Sequence, residues 1–388
     1  MKNQVLINAA NLHVGGSVQV ATSFIDELSR LSSETIDFHV ICSSKVDSGL
    51  GKADVNRSSF LSYRVFDIYG LGSSSRTFSR LLRGYDAIFT VFGPDYRLGS
   101  QANTLVGFAQ PWIIYPDNEV FLGLDPLSML KTKLKFLVQS LFFKRAAKLV
   151  VELPHVKQGL IKKSLAVEGR VEVVHNSVSG LYFRPACWKD VEIKCSKTAF
   201  KLGFVGRDYP HKNLKILPKT KVILSRDYGL DIDFFVTLNE KEWAAKSPAF
   251  RQSVNTVGEL SVSQCPTFYQ KMDGVIFPSL LECFSATPLE AMVMELPLFS
   301  SDRGFVRDVC KDYAFYFDPL SPDSAAAVIA KYVRNLQGTD KNRLAEGKRH
   351  AQSFSSAKGR AEDYVRILEQ MLDNPRTSSA FSLFKALD

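Results

Sequence analysis

What most restricts the fold of this chain is a rhythm of short, wholly apolar runs separated by stretches of helical periodicity. In the first half the runs are "QVLINAA", "IDFHVICS", "DAIFTVFG", "TLVGFAQ", "KLVVEL" and "VEVVHNSV". A strand that is apolar on both sides must be covered on both sides, and a parallel sheet between two layers of helices does this. After Val178 the chain turns polar and aperiodic through "SGLYFRPACWKDVEIKCSK", and then the rhythm restarts with "KLGFVGR", "DIDFFVTL", "GVIFP", "LPLFSS" and "FYFDP". The pattern predicts two doubly wound α/β units joined near residues 180–197. The expected division is 1–185 for the first domain and 186–355 for the second. A helix and tail over 356–388 are expected to pack back on the first.

A chain of 388 residues has room for two such cores. Hydrophobic residues make up 45% and charged residues 23%, which rules out large-scale disorder. Six cysteines (Cys42, Cys187, Cys195, Cys265, Cys283, Cys310) form no CxxC pair, so neither a zinc knuckle nor a disulfide framework is expected. The opening "MKNQVLINAANLH" lacks a signal-peptide pattern, and no run approaches the roughly 20 apolar residues that cross a bilayer. A cytoplasmic protein is the expectation. The net charge of +9 favours anionic partners: phosphorylated substrates, acidic lipid or nucleic acid.

Chemistry concentrates in "GVIFPSLLECFSATPLEAM", residues 274–292. The strand "GVIFP" ends just before Glu282, and open α/β sheets bind ligands at the carboxyl ends of their strands. Thr287, followed by Pro288 and with Glu290 three residues on, reads as a capping box with Thr287 as N-cap. On that reading the free N–H groups of the new helix can face an anion. A solvated loop acid is the plainer account of Glu282, and helix capping that of Glu290.

The E-x7-E spacing after a "PS" strand end resembles the signature of glycosyltransferase family 4, retaining enzymes of the GT-B fold. The likeness runs through residues 254–318, the nucleotide-binding half of that family. It extends to "FVGRDYPHKN" as a phosphate-binding loop, "VEVVHNSVSGLYFRP" as an interdomain crossing and "VGG" at 14–16 as an N-terminal glycine loop. The resemblance implies two Rossmann-like domains facing a central cleft. It gives Glu290 the ribose hydroxyls and Glu282 the sugar hydroxyls, with Phe284, Ser285, Ala286 and Thr287 presenting backbone donors. Val257 and Gly258 fall where the family contacts the base. Cys283 and Ser285 replace glycines usual in the motif, and Gln110 stands where many members carry a donor-contacting His.

Breaking a nucleotide-sugar bond leaves negative charge on the departing phosphate. Arg207 and Lys212 follow the strand "KLGFVG" and supply bidentate and point-charge partners for it, although solvated loop cations are the plainer reading of such a pair. Gly15 and Gly16, expected in the turn after the first strand, leave backbone N–H groups accessible. They do not complete G-x-G-x-x-G, which argues against a dinucleotide cofactor. The family reacts on one face of the sugar, so Glu282 is not cast as a covalent nucleophile. "DID" at 231–233 precedes its strand and reads as strand entry, and the six histidines lack metal-ligand spacing. No metal or cofactor is expected.

The stretch "DPLSMLKTKLKFLVQSLFFKRAAKLV" begins with Asp125 as a helix cap and holds Lys131, Lys133, Lys135, Lys144, Arg145 and Lys148 with no acid before Glu152. Leu127, Leu130, Leu134, Leu137 or Val138, and Leu141 share one face at helical spacing. Such a stripe ordinarily packs on a sheet; the alternative is an interfacial helix on anionic lipid, and the two coexist if Phe136, Phe142 or Phe143 stays exposed, so residues 126–148 are a candidate membrane contact. The tail "SSAFSLFKALD" is a weaker one. The family resemblance implies a hexosyltransferase moving a sugar from a UDP- or GDP-sugar to a saccharide or lipid-linked acceptor. Synthesis of O-antigen, capsule or another surface polysaccharide, on the inner face of the cell membrane, is the expected setting. A nucleotide-sugar epimerase of the same architecture and a non-catalytic basic scaffold are the competing readings.

Overall fold

The computed structural model describes residues 2–97, 103–193, 199–335 and 341–373. Cys195 and the tail 378–388 lie outside them. The chain forms two compact units: the described residues of Met1–Pro116, Asp125–Asn176 and Ser355–Asp388, and those of Asp117–Leu124 and Ser177–Phe354.

The first unit is built on a seven-stranded parallel sheet: β1 (Asn3–Ala9), β2 (Ile36–Cys42), β3 (Ser62–Val65), β4 (Ala87–Thr90), β5 (Thr104–Gly107), β6 (Lys148–Val151) and β7 (Val171–Val173). Its order is β3-β2-β1-β4-β5-β6-β7, so the direction of winding reverses between β1 and β4. At such a switch point the flanking loops diverge and leave a crevice. The helix Ala357–Asp373 belongs to this core: Tyr364 packs against Phe24 and Phe89, with ring centroids 5.0 and 4.8 Å away. Beside it, the buried Arg360 donates to Asn176 Oδ1, and Asn176 Nδ2 donates to Glu152 Oε1 at 2.6 Å.

The basic helix of this unit is Pro126–Phe143, capped by Asp125, whose carboxylate accepts from the N–H groups of Leu127 and Ser128. The face it buries is the opposite of the one expected. Gln139 donates to Tyr96 Oη at 3.0 Å, Phe143 is fully buried against Phe108, and Phe136 stacks on Trp112 at 5.6 Å. The leucine stripe expected to pack on the sheet faces solvent: Leu127, Leu130, Leu134, Leu137 and Leu141 are each between 55% and 63% exposed. Aromatic rings with more area than leucine anchor the helix from its other side.

The second unit repeats the plan with six parallel strands: β8 (Phe200–Phe204), β9 (Ile232–Val236), β10 (Val254–Thr256), β11 (Gly274–Phe277), β12 (Leu298–Ser301) and β13 (Phe315–Phe317). The order β10-β9-β8-β11-β12-β13 puts its switch point between β8 and β11. Leu202, Phe204, Phe234, Val236, Ile276 and Phe299 fill the core on the sheet, fully buried.

Candidate active site

The loops leaving β8 and β11, on either side of the second switch point, are stitched together before any ligand arrives. The Leu280 N–H donates to the His211 carbonyl at 2.7 Å. Asn213, in the left-handed region at φ 55°, donates from Nδ2 to the Pro278 and Pro319 carbonyls at 3.3 and 2.8 Å. These bonds bring Lys212 Nζ to 2.5 Å from Glu282 Oε1, with both side chains only 12% exposed. The ammonium also lies 5.2 Å from the centroid of the Phe277 ring. A nearly dry ion pair of this kind holds its geometry because separating it strands a buried charge.

His211 belongs to the same cluster, with Nε2 3.8 Å from Glu282 Oε1 and its ring stacked on Tyr209. Burial lowers its pKa, the Glu282 charge opposes that and Lys212 adds to it, so the imidazole is neutral near pH 7.

Arg207 is held from the other side of the loop. Its Nε donates to Glu242 Oε1 at 2.8 Å and its Nη1 to Glu259 Oε1 at 2.9 Å. Glu242 is itself fixed: it closes a capping box with Asn239 at the start of the helix Glu240–Ala244 and accepts from the Asp208 N–H. Glu259 is 60% exposed, which makes it the looser of the two partners. At Gly206, where φ is +156°, a Cβ would lie 3.0 Å from the Phe204 ring, and the Gly206 N–H donates to Thr237 Oγ1. The chain bends at Gly206, just before Arg207.

The helix after Glu282 runs from Ala286 to Val293, with Ser285 as its N-cap and no side chain satisfying its first N–H groups. The expected capping box is absent. Thr287 lies inside the helix and donates to the Val205 carbonyl at 3.3 Å, which ties the helix start to the β8 loop. Glu290 accepts at Oε2 from the Tyr269 hydroxyl at 2.9 Å. Tyr269 is fully buried, and Tyr182 packs on it with ring centroids 6.1 Å apart. Burial, with the Glu290 charge adding to it, pushes both phenols well above the ordinary tyrosine range, so both remain protonated. Glu290 keeps some exposed surface, yet dense surroundings raise its pKa while the two hydroxyls pull it back.

Val257 and Gly258 follow β10 farther along the same edge. Gly258 has φ +78°, and a Cβ there would meet nothing within 4 Å. Val257 lines an open cleft of about 580 Å³ together with Phe235, Trp243, Glu259 and Leu260. Glu259 thus joins the cleft to Arg207. Phe284, Ser285 and Ala286 are partly exposed between Glu282 and the helix.

Arg207, Lys212, Val257, Gly258, Glu282, Phe284, Ser285, Ala286, Thr287 and Glu290 therefore share one sheet edge in the second unit. Gly15, Gly16 and Gln110 belong to the first unit, at the carboxyl edge of its sheet. The two glycines do not sit in the turn as expected but open the helix Gly15–Leu28, with Gly15 at φ +66° and open space over both. Gln110 precedes the short helix Pro111–Ile114 after β5. "DID" lies at the opposite, amino end of β9, where Asp233 pairs with Lys221 at 3.0 Å. Among the described residues no group of three or more His, Cys, Asp or Glu is placed to hold a metal ion. Sequence reasoning missed His211, Tyr182, Tyr269, Glu242 and Glu259.

Two doubly wound units, each on a parallel sheet with the same winding order, have the plan of the GT-B fold. Residues 188–351 match the family described as glycosyl transferases group 1. The O-antigen chain mannosyltransferase RfbU of Salmonella typhimurium is 27% identical over 169 residues, 42% of this chain and 44% of that one. The capsular polysaccharide biosynthesis glycosyltransferase CapM of Staphylococcus aureus is 23% identical over 190 residues, 47% of this chain and 50% of that one. The chain thus spans about half the length of the curated relatives it matches. In fold, a glycosyltransferase from Rickettsia africae superposes with a TM-score of 0.66 at 16% identity, covering 96% of this chain and 99% of that one. Anabaena Alr3699/HepE, solved in complex with UDP and glucose, gives 0.68 at 13% identity, with 95% and 100% covered.

Proposed function

We propose that the protein is a retaining, metal-independent glycosyltransferase that moves a hexose from a UDP- or GDP-sugar to a saccharide or lipid-linked saccharide in surface-polysaccharide synthesis. The observation that carries this reading is the Lys212–Glu282 pair at the switch point, with Arg207 in the same loop and the uncapped start of the helix Ala286–Val293 beside it. The surface-polysaccharide roles named for the two curated relatives support the same setting.

The residues divide the work by charge. As the bond between sugar and diphosphate breaks, negative charge grows on the departing phosphate, and Arg207, Lys212 and the first N–H groups of the helix stabilise it there. Glu259, the exposed partner, is the one the diphosphate displaces from Arg207, while Glu242 keeps the guanidinium aimed. Glu282, steadied by Lys212, takes sugar hydroxyls, and Glu290 takes the ribose. The cleft past Val257 receives the base. In a same-face reaction the leaving phosphate accepts the acceptor's proton, so no side chain serves as a covalent nucleophile.

The test is a thermal-shift screen of UDP, GDP and their sugars, followed by incubation of the best donor with and without saccharide acceptor. A ligand at 100 times its Kd adds about 2.7 kcal/mol of stability. Release of nucleoside diphosphate that depends on acceptor and survives excess chelator supports the proposal. Conversion of the donor alone identifies an epimerase instead, and loss of activity in chelator, restored by manganese or magnesium, returns attention to "DID".

A further inference from the structure

The helix Pro126–Phe143 is pinned by one face and leaves the other uncovered by any described residue. Five leucines, at 127, 130, 134, 137 and 141, form a continuous stripe over the length of the helix, each more than half exposed. At 100° per residue, Lys131 and Lys135 fall along one shoulder of this stripe, and Lys133 and Lys144 along the other. The anchoring residues Phe136, Gln139 and Phe143 lie diametrically opposite. No Asp or Glu occurs between Pro126 and Val151.

We infer that this face docks on an anionic lipid bilayer, with the leucines entering the acyl boundary and the two rows of lysine at the level of the headgroups. An apolar stripe with cations on both shoulders matches that interface twice over: hydrocarbon takes the leucines and anionic headgroups take the ammonium groups. A second copy of the chain fits poorly, because joining two leucine stripes sets lysine rows against lysine rows with no acid on the helix to pair them. No described helix is long and apolar enough to cross a membrane. Docking places the first unit where a lipid-linked acceptor would be met. In that purpose alone the inference rests on the proposed transferase activity; the binding itself does not.

Sedimentation of the full chain with vesicles of phosphatidylglycerol and phosphatidylcholine, against phosphatidylcholine alone, tests it. Wild type should bind the anionic vesicles and not the neutral ones. Leu130→Ser, Leu134→Ser and Leu137→Ser combined should weaken binding at least tenfold, since the exposed positions leave the core intact. Lys131→Gln, Lys133→Gln and Lys135→Gln should each weaken it about fivefold and flatten the salt dependence. Indifference of wild type to anionic vesicles at low salt overturns the inference, as does undiminished binding by the leucine variant, which reduces the contact to diffuse charge. A concentration-dependent dimer abolished by the leucine substitutions, without vesicle binding, also overturns it. Thermal shifts by nucleotide sugars should be the same in all these variants, so failure of the transferase reading shows separately.

Discussion

Tyr269 reaches Glu290 from full burial, so removing its hydroxyl leaves the carboxylate short of a donor that water cannot replace. Tyr269→Phe should cost about 1 to 3 kcal/mol of stability, the loss of a hydrogen bond to a charged group. If Glu290 holds ribose, the variant should also bind nucleoside diphosphate more weakly by calorimetry. Unchanged affinity in a folded Tyr269→Phe protein would deny the tyrosine any part in aiming Glu290. His211 makes a second, pH-dependent case. Its folded pKa is depressed by burial, so below the ordinary histidine value the unfolded chain binds a proton that the folded chain refuses. Stability is therefore lost as pH falls from 7.5 toward 5.5, and His211→Gln should reduce that loss in urea titrations at the two pH values. Identical pH dependence in both proteins would show that the imidazole protonates in place beside Glu282. Glu282, Lys212 and Arg207 were visible in the sequence because they stand at strand ends with a recognisable spacing. Tyr182, Tyr269, Glu242 and Glu259 were not, because each meets its partner across 20 or more residues of chain and only the sheet order brings them together.

At the scale of elements, strands buried on both faces announced themselves, while β3 and β10 did not. Both are sheet edges, short and only partly buried, so "SYRV" and "VNT" carry little of the apolar signal that marks an inner strand. The Thr287–Pro288 sequence suggested a cap two residues too late, since Ser285 is the N-cap. The helix starts earlier, at Ala286, because the Thr287 hydroxyl is drawn to the Val205 carbonyl. In the basic helix the periodicity correctly marks the leucine face, but periodicity does not say whether an apolar face is covered. The opposing rings of Phe136 and Phe143 decide that. The helix Ala357–Asp373 seals the core of the first unit through Tyr364, placed between Phe24 and Phe89. Tyr364→Ala should lower stability by about 3 to 5 kcal/mol, the usual cost of deleting a buried ring. A urea midpoint close to wild type would mean that this helix is peripheral to the core.

For the whole molecule, the two sheets share one winding order, and the candidate chemistry of the second unit gathers where its winding reverses. That coincidence follows from topology, since loops diverge only at a switch point. The net charge of +9 is divided between two uses in this account: fixed cations at the sheet edge for a departing diphosphate, and a lysine-flanked helix for anionic lipid. The first use is the central claim, and Lys212 tests it most directly because its ammonium is nearly buried on Glu282. Each well-placed donor in a water-poor site contributes about 3 to 4 kcal/mol to the transition state. The decisive measurement is kcat for acceptor-dependent release of nucleoside diphosphate by Lys212→Ala, with folding checked by circular dichroism. The account predicts a loss of about a hundredfold or more in a folded protein; turnover equal to wild type would contradict it.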